Sequence, residues 1–116
     1  MAGTLVITDS VCWLAPGWIF DNVLDRVATI LDSTNKSLAE LLRSARTTES
    51  VGYLDIRNAS KSDIVALADA TNKALEGAIR DGRNAFHDPR FYSGFLRQFQ
   101  DLQQMLSSAR TDTNTN

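Results

Sequence analysis

The chain has 116 residues, of which 43% are hydrophobic and 22% are charged, and its formal net charge is −2. This length suffices for one domain with its own core, and the mildly acidic balance argues against nucleic acid as a direct partner. The longest uncharged run, residues 10–20, is about half the length that a membrane span requires, and no signal peptide is recognised. We therefore expect a cytoplasmic protein that does not bind a membrane.

Charge is unevenly distributed along the chain. Residues 1–35 contain four aspartates and one arginine, a balance of −3, whereas residues 36–116 carry a balance of +1. An acidic face can steer a basic partner, although a solvated helix face is the simpler interpretation. Cys12 is the only cysteine, which excludes an intrachain disulfide and a thiolate zinc cluster. Its apolar neighbours Val11 and Trp13 favour a small buried side chain.

Two stretches are typical of β-strands. Residues 4–8 (TLVIT) are rich in β-branched side chains, and residues 52–57 contain Leu54 and Ile56 on one face. With two strand signals the simplest sheet is a small two-stranded β-ribbon. Such a ribbon is marginal in isolation, so we expect it to lie on helices.

A first helix is predicted to begin at Ala15-Pro16-Gly17, because proline is tolerated in the first turn. The acidic residues Asp21, Asp25 and Asp32 follow at steps of four and seven and therefore share one side of this helix. Trp13 and Trp18 flank its start. Both tryptophans can be core or lid residues, the commoner outcome in a small domain, or they can anchor a binding rim.

Two more helices are marked by capping residues. Ser37 and Glu40 form a capping box before the short segment LAELLRSAR. Ser60 caps a longer helix, which carries a regular apolar stripe and ends at Gly82, where a left-handed residue can close it. This third helix is the strongest structural signal in the chain.

A fourth helix is predicted to begin at Asp88-Pro89, a capping aspartate followed by proline at the first helical position. Gly94 lies inside its apolar stripe and indicates close packing against another backbone. The stripe ends at Leu106, and the polar residues 107–116 predict a disordered tail. The fold class is therefore mainly α (α+β): residues 1–106 form a single globular domain of four helices with a small two-stranded β-ribbon.

Catalytic motifs are missing from the sequence. His87 is the only histidine, and no HExxH, GxSxG, Walker or dinucleotide-binding pattern occurs. His87 and Asp88 could form an acid–base pair, but a histidine at a helix entry is usually structural or exposed. Asp21 and Asp25 could bind a divalent ion, but no third ligand is evident. We expect neither an enzyme nor a cofactor or metal site.

The segment 51–106 resembles the C-terminal half of small bacterial immunity proteins of contact-dependent inhibition and other polymorphic toxin systems. The resemblance rests on the GYLDIR strand, a capped helix rich in Ala and Leu, and the sequence HDPRFYSGFLRQFQDLQQML. It implies a non-enzymatic inhibitor that binds one cognate toxin domain, often a nuclease, and blocks its active site or an essential surface.

From the residues we expect the partner to contact the first helix and the segment before it, through Trp18, Asp21, Asp25 and Asp32. A second hypothesis is a helical adaptor or a self-assembling structural subunit, which would form a homo-oligomer. A third is a small enzyme or metal-binding domain centred on His87 and the acidic row.

Overall fold

The computed structural model describes residues 2–47, 51–82 and 89–115, with side-chain environments for those up to 47, for 51–82 and for 90–110. Within this part the chain forms an α+β fold of four helices and three strands. In chain order the elements are β1 (Ala2–Thr8), β2 (Val11–Pro16), α1 (Gly17–Leu31), α2 (Lys36–Ser44), β3 (Tyr53–Asp55), α3 (Lys61–Asp81) and α4 (Pro89–Thr115).

The described strands form one sheet in the order β2-β1-β3, so the predicted two-stranded ribbon is wrong by one strand. β1 and β3 do pair, in parallel, with Leu5 opposite Leu54. The additional strand β2 pairs with β1 in an antiparallel hairpin that places Leu5 opposite Trp13. The residues of β2 alternate between the two faces of the sheet, as expected of a strand with one buried face. Trp13 and Ala15 are buried, and Cys12 and Leu14 are exposed.

One hydrophobic core joins the inner face of the sheet to all four helices. Its centre is aromatic: Trp13 stacks on Phe20, with ring centroids 5.9 Å apart, and Phe95 meets Phe99 edge to face at 5.6 Å. The indole Nε1 of Trp13 donates a hydrogen bond to the backbone oxygen of Gln98 at 2.9 Å, which ties β2 to α4. Trp13 is therefore a core residue, the first of the two alternatives.

Both predicted ends of α3 are confirmed. Ser60 Oγ accepts a hydrogen bond from the backbone N–H of Asp63 at 3.1 Å, and Gly82 closes α3 with a φ of 67°. α2 is capped by Asn35, whose Oδ1 accepts from the backbone N–H of Leu38 at 3.1 Å. The cap is thus two residues before the predicted Ser37, because an amide oxygen serves the role as well as a hydroxyl.

α4 continues past the end of its predicted apolar stripe. The helix continues beyond Leu106 to Thr115, through most of the segment 107–116 that the sequence assigns to a disordered tail. Ala109 is buried, and Arg110 pairs with Asp69 at 2.7 Å, so this part of α4 contacts α3. Gly94 has no atom within 4 Å of the position where a Cβ would lie, so its predicted close packing is wrong.

None of the described helices combines the length and the apolar composition needed to cross a bilayer.

Candidate partner-binding surface

Three of the residues expected to contact a partner, Trp18, Asp21 and Asp25, lie in α1, and Asp32 is the C-cap residue directly after it. At about 100° per residue, the positions of Trp18, Asp21, Asp25 and Asp32 fall within a sector of about 60° around the helix axis. We call this sector the outer face of α1. The opposite side of the helix carries buried residues such as Phe20 and therefore belongs to the core.

Trp18 is held against α4. Its ring stacks on Phe95, with centroids 6.3 Å apart and planes 19° from parallel, and meets Phe91 at 5.8 Å with a 60° tilt. Trp18 remains 45% exposed and Phe91 56% exposed. The second tryptophan is therefore not a core residue: its ring is fixed by aromatic contacts, while a large apolar surface stays open to solvent.

Arg26 contacts Phe95, the ring on which Trp18 stacks. Its guanidinium carbon is 5.8 Å from the centroid of Phe95, its Nε donates to Asn22 Oδ1 at 3.0 Å, and its Nη1 pairs with Asp81 of α3 at 3.2 Å. These contacts tie α1, α3 and α4 together close to the exposed ring. The aromatic surface is consequently held by three helices.

Two of the acidic side chains bind the segment after α2. Asp21 accepts two hydrogen bonds from Thr47, one from the backbone N–H at 2.7 Å and one from Oγ1 at 2.5 Å. Asp25 pairs with Arg46 at 2.8 Å and keeps 47% of its side chain exposed. Asp21 thus has a structural function, whereas Asp25 is engaged on one oxygen and open to solvent.

The third carboxylate, Asp32, forms a bidentate pair with Arg43 of α2, with both N–O distances at 2.7 Å. The hydrogen bonds from Arg43 hold the pKa of Asp32 below its ordinary value and raise the pKa of Arg43 above its own. Three carboxylates therefore face two arginines, and one negative charge is left over. Long-range attraction of a basic partner is weaker than the acidic row alone suggests.

The remaining candidate residues of the sequence lie elsewhere. Cys12 is exposed on the outer face of the sheet, so the prediction of a buried thiol is wrong, because β2 turns that position away from the core. His87 and Asp88 lie outside the described residues. Among the described residues no group of three or more His, Cys, Asp or Glu side chains is placed to hold a metal ion.

Sequence reasoning missed the side chains that contact the residues of the outer face. Arg43, Arg46 and Thr47 are 11 to 26 residues away from the carboxylates they bind, and Phe91 is on a different helix from Trp18. The only advance signal was the charge balance of +1 in residues 36–116, and a net charge does not show which basic side chain lies beside which carboxylate.

Comparison of the chain with protein-family models, curated proteins and solved structures yields no match. A function has to be argued from the side chains described above.

Proposed function

We propose that the chain is an inhibitor protein of the immunity class, which binds one cognate toxin domain and blocks it by covering its surface. The observation that supports this most is Trp18, a half-exposed tryptophan whose ring is already fixed by Phe95 and Phe91. Tryptophan is enriched among residues that dominate binding energy, and a preset ring loses little conformational entropy when it binds.

The outer face of α1 would contact the partner through Trp18 and Phe91, with Asn22 and Asp25 at the polar rim. Asp25 keeps an exposed carboxylate that can meet a basic group, and Asn22 is held in place by Arg26. Asp21 and Asp32 contribute by fixing α2 and the segment after it rather than by direct contact. The proposed compartment is the cytoplasm, where an exposed thiol such as Cys12 stays reduced.

The decisive experiment is co-expression with a candidate toxin domain. The candidate is the C-terminal domain of the large secreted or surface protein encoded immediately upstream, if one is found there. Expression of that domain alone should stop growth, and co-expression of this chain should restore growth and yield a stable complex on purification. A toxic domain that this chain neither binds nor neutralises would contradict the proposed function.

Substitution then tests the surface separately from the function. Trp18→Ala should weaken binding by about 2 kcal/mol, roughly thirtyfold, since truncation of an interface tryptophan removes a dominant contact. The matched control is Tyr53→Ala on β3, because Tyr53 is an aromatic residue that is 50% exposed on the far side of the sheet. A folded Trp18→Ala variant that binds as tightly as the Tyr53→Ala variant would exclude the outer face of α1.

Charge at the rim is tested by kinetics. Asp25→Lys should lower the association rate and change its dependence on salt, because rim charges act mainly on diffusional encounter. Asp101→Lys on α4 is a control with the same change in charge at another exposed position. Equal association rates for the two variants would exclude Asp25 from the interface.

A second candidate function is self-assembly, and the outer face of the sheet favours it. Leu14 and Tyr53 lie on either side of Thr4 in the strand register and are 62% and 50% exposed. Two such faces could pack against each other as sheets do in β-sandwiches. Light scattering tests this: a homodimer at low micromolar concentration that Leu14→Lys dissociates would support it, and a monomer would contradict it.

A further inference from the structure

A groove runs between the C-terminal end of α1, with the turn after it, and the first half of α3; it begins about 16 Å along α1 from Trp18. Its volume is about 980 Å³. The apolar residues along it are Ile30, Val65, Ala66 and Ala70. The polar residues Thr29, Ser33 and Thr34 line the side formed by α1 and the turn after it. An open apolar groove with polar rims is the shape into which amphipathic helices bind.

The rim of the groove on α3 is positively charged. Lys61 and Lys73, two of the three lysines in the chain, line it, and neither forms an ion pair with any residue the structure describes. The one carboxylate of the lining, Asp69, is paired with Arg110 at 2.7 Å. In a chain of net charge −2, this groove is therefore a local site of uncompensated positive charge.

The spacing of the lysines suits a helical ligand. They are twelve residues apart on one helix, which corresponds to about 18 Å along the axis, or a little over three helical turns. A ligand helix of that length presents apolar side chains at positions i, i+3, i+4 and i+7 to the apolar strip and can place carboxylates near both ends. A basic helix would meet like charge at both ends.

We propose that this groove binds an acidic amphipathic helix of another protein. The proposal does not rest on the inhibitor function, because the groove residues Thr29 and Ile30 are about 16–18 Å along α1 from Trp18. A partner centred on Trp18 and a helix in the groove can therefore bind together. The groove would give the chain a second, charge-selective contact with a protein.

The test uses three model peptides of eighteen residues. All have leucine on one helical face; the polar face carries glutamate in the first peptide and lysine in the second, and the third is a scrambled version of the first. At low ionic strength the acidic amphipathic peptide should bind at least tenfold more tightly than either of the others. Equal affinity for the acidic and basic peptides, or for the acidic and scrambled peptides, would overturn the proposal.

Charge reversal identifies the groove as the binding site. Lys73→Glu should weaken binding of the acidic peptide about tenfold, and the double variant with Lys61→Glu should come to prefer the basic peptide. Arg97→Glu is the matched control: Arg97 is exposed on α4, about 20 Å along that helix from Arg110. A control variant that loses as much affinity as Lys73→Glu would show that only net charge matters, which contradicts the proposal.

Nuclear magnetic resonance maps the contact. Titration with the acidic peptide should shift the backbone amide signals of Val65, Ala66 and Ala70 and leave those around Trp18 unchanged. The same peptide with serine in place of glutamate should bind more weakly by at least tenfold. If the serine peptide binds equally well, or if the shifts fall outside the groove, an acidic helix is not the ligand of this site.

Discussion

Gly3 offers the sharpest test of the packing that supports α1. It lies at the inner face of β1, paired with Ala15 of β2, and a Cβ placed on it would overlap the ring of Phe20. Phe20 is fully buried and stacked on Trp13, so its ring has no free space to enter. Gly3→Ala should therefore destabilise the protein, although alanine in place of glycine is otherwise favourable in regular structure.

The magnitude follows from two opposing terms. Reduced freedom of the unfolded chain favours alanine by about 0.5–1 kcal/mol, and overpacking of a dense core costs typically about 1–3 kcal/mol. We expect a net loss of about 2 kcal/mol, near the upper end because Phe20 and the Trp13 ring stacked on it would have to shift together. Urea denaturation should show a lower midpoint with an unchanged slope. The matched control is Gly94→Ala, which meets no atom within 4 Å and should stabilise by about 1 kcal/mol.

A double-mutant cycle separates the clash from other effects. Phe20→Leu removes part of the ring and should cost about 1.5 kcal/mol alone. Combined with Gly3→Ala it should cost at least about 1 kcal/mol less than the sum of the two single changes, because the new methyl group then occupies vacated space. Strict additivity, or a Gly3→Ala variant as stable as the parent, would refute the close approach of β1 to α1.

Three further predictions concern other contacts. Arg43→Gln should raise the pKa of Asp32 toward its ordinary value, and a magnetic resonance titration of the carboxyl carbon measures this shift. In the parent protein the pair stabilises the folded state only while the carboxylate is charged, so its contribution to the free energy of unfolding is lost as pH falls below about 4. Thr71→Val should change the free energy of unfolding by less than about 1 kcal/mol, and by less than Thr71→Ser, because Thr71 is fully buried with its hydroxyl bonded only inside its own helix. Deleting residues 107–116 should cost about 1–2 kcal/mol in thermal or urea unfolding, since Ala109 is buried, whereas a disordered tail could be removed without effect.

Local signals sufficed to predict the four helices, but not all of their ends and not the sheet. α3 was predictable at both ends because Ser60 and Gly82 act on neighbouring backbone groups. β2 was missed because its pattern is only six residues long and contains Pro16, which indicates a helix start as readily as a strand end. Its identity is set by Leu5 and the other residues opposite it in β1, and pairing across a hairpin is not visible in the strand itself.

The surface was predictable only in part for a related reason. Helical periodicity alone places Asp21, Asp25 and Asp32 on one side of the first helix, and the structure has a helix over Gly17–Leu31 with Asp32 as its C-cap residue. Which carboxylates are occupied depends on where α2 and the segment after it lie. The position of α2 is set by the packing of buried residues such as Leu42. A pattern of apolar residues does not show which charged side chains will meet.

Asp21 and Asp25 make different contacts, and this difference decides which substitution can test the binding of a partner. A loss of binding in an Asp21→Lys variant would be ambiguous, because both oxygens of Asp21 hold Thr47 and the change would release the segment after α2. Asp25 gives a cleaner result: when it is replaced, Arg46 still donates from its Nε to the backbone oxygen of Arg43 at 3.1 Å. Asp25→Asn, which keeps the shape and removes the charge, should therefore slow association without changing the free energy of unfolding by more than about 1 kcal/mol.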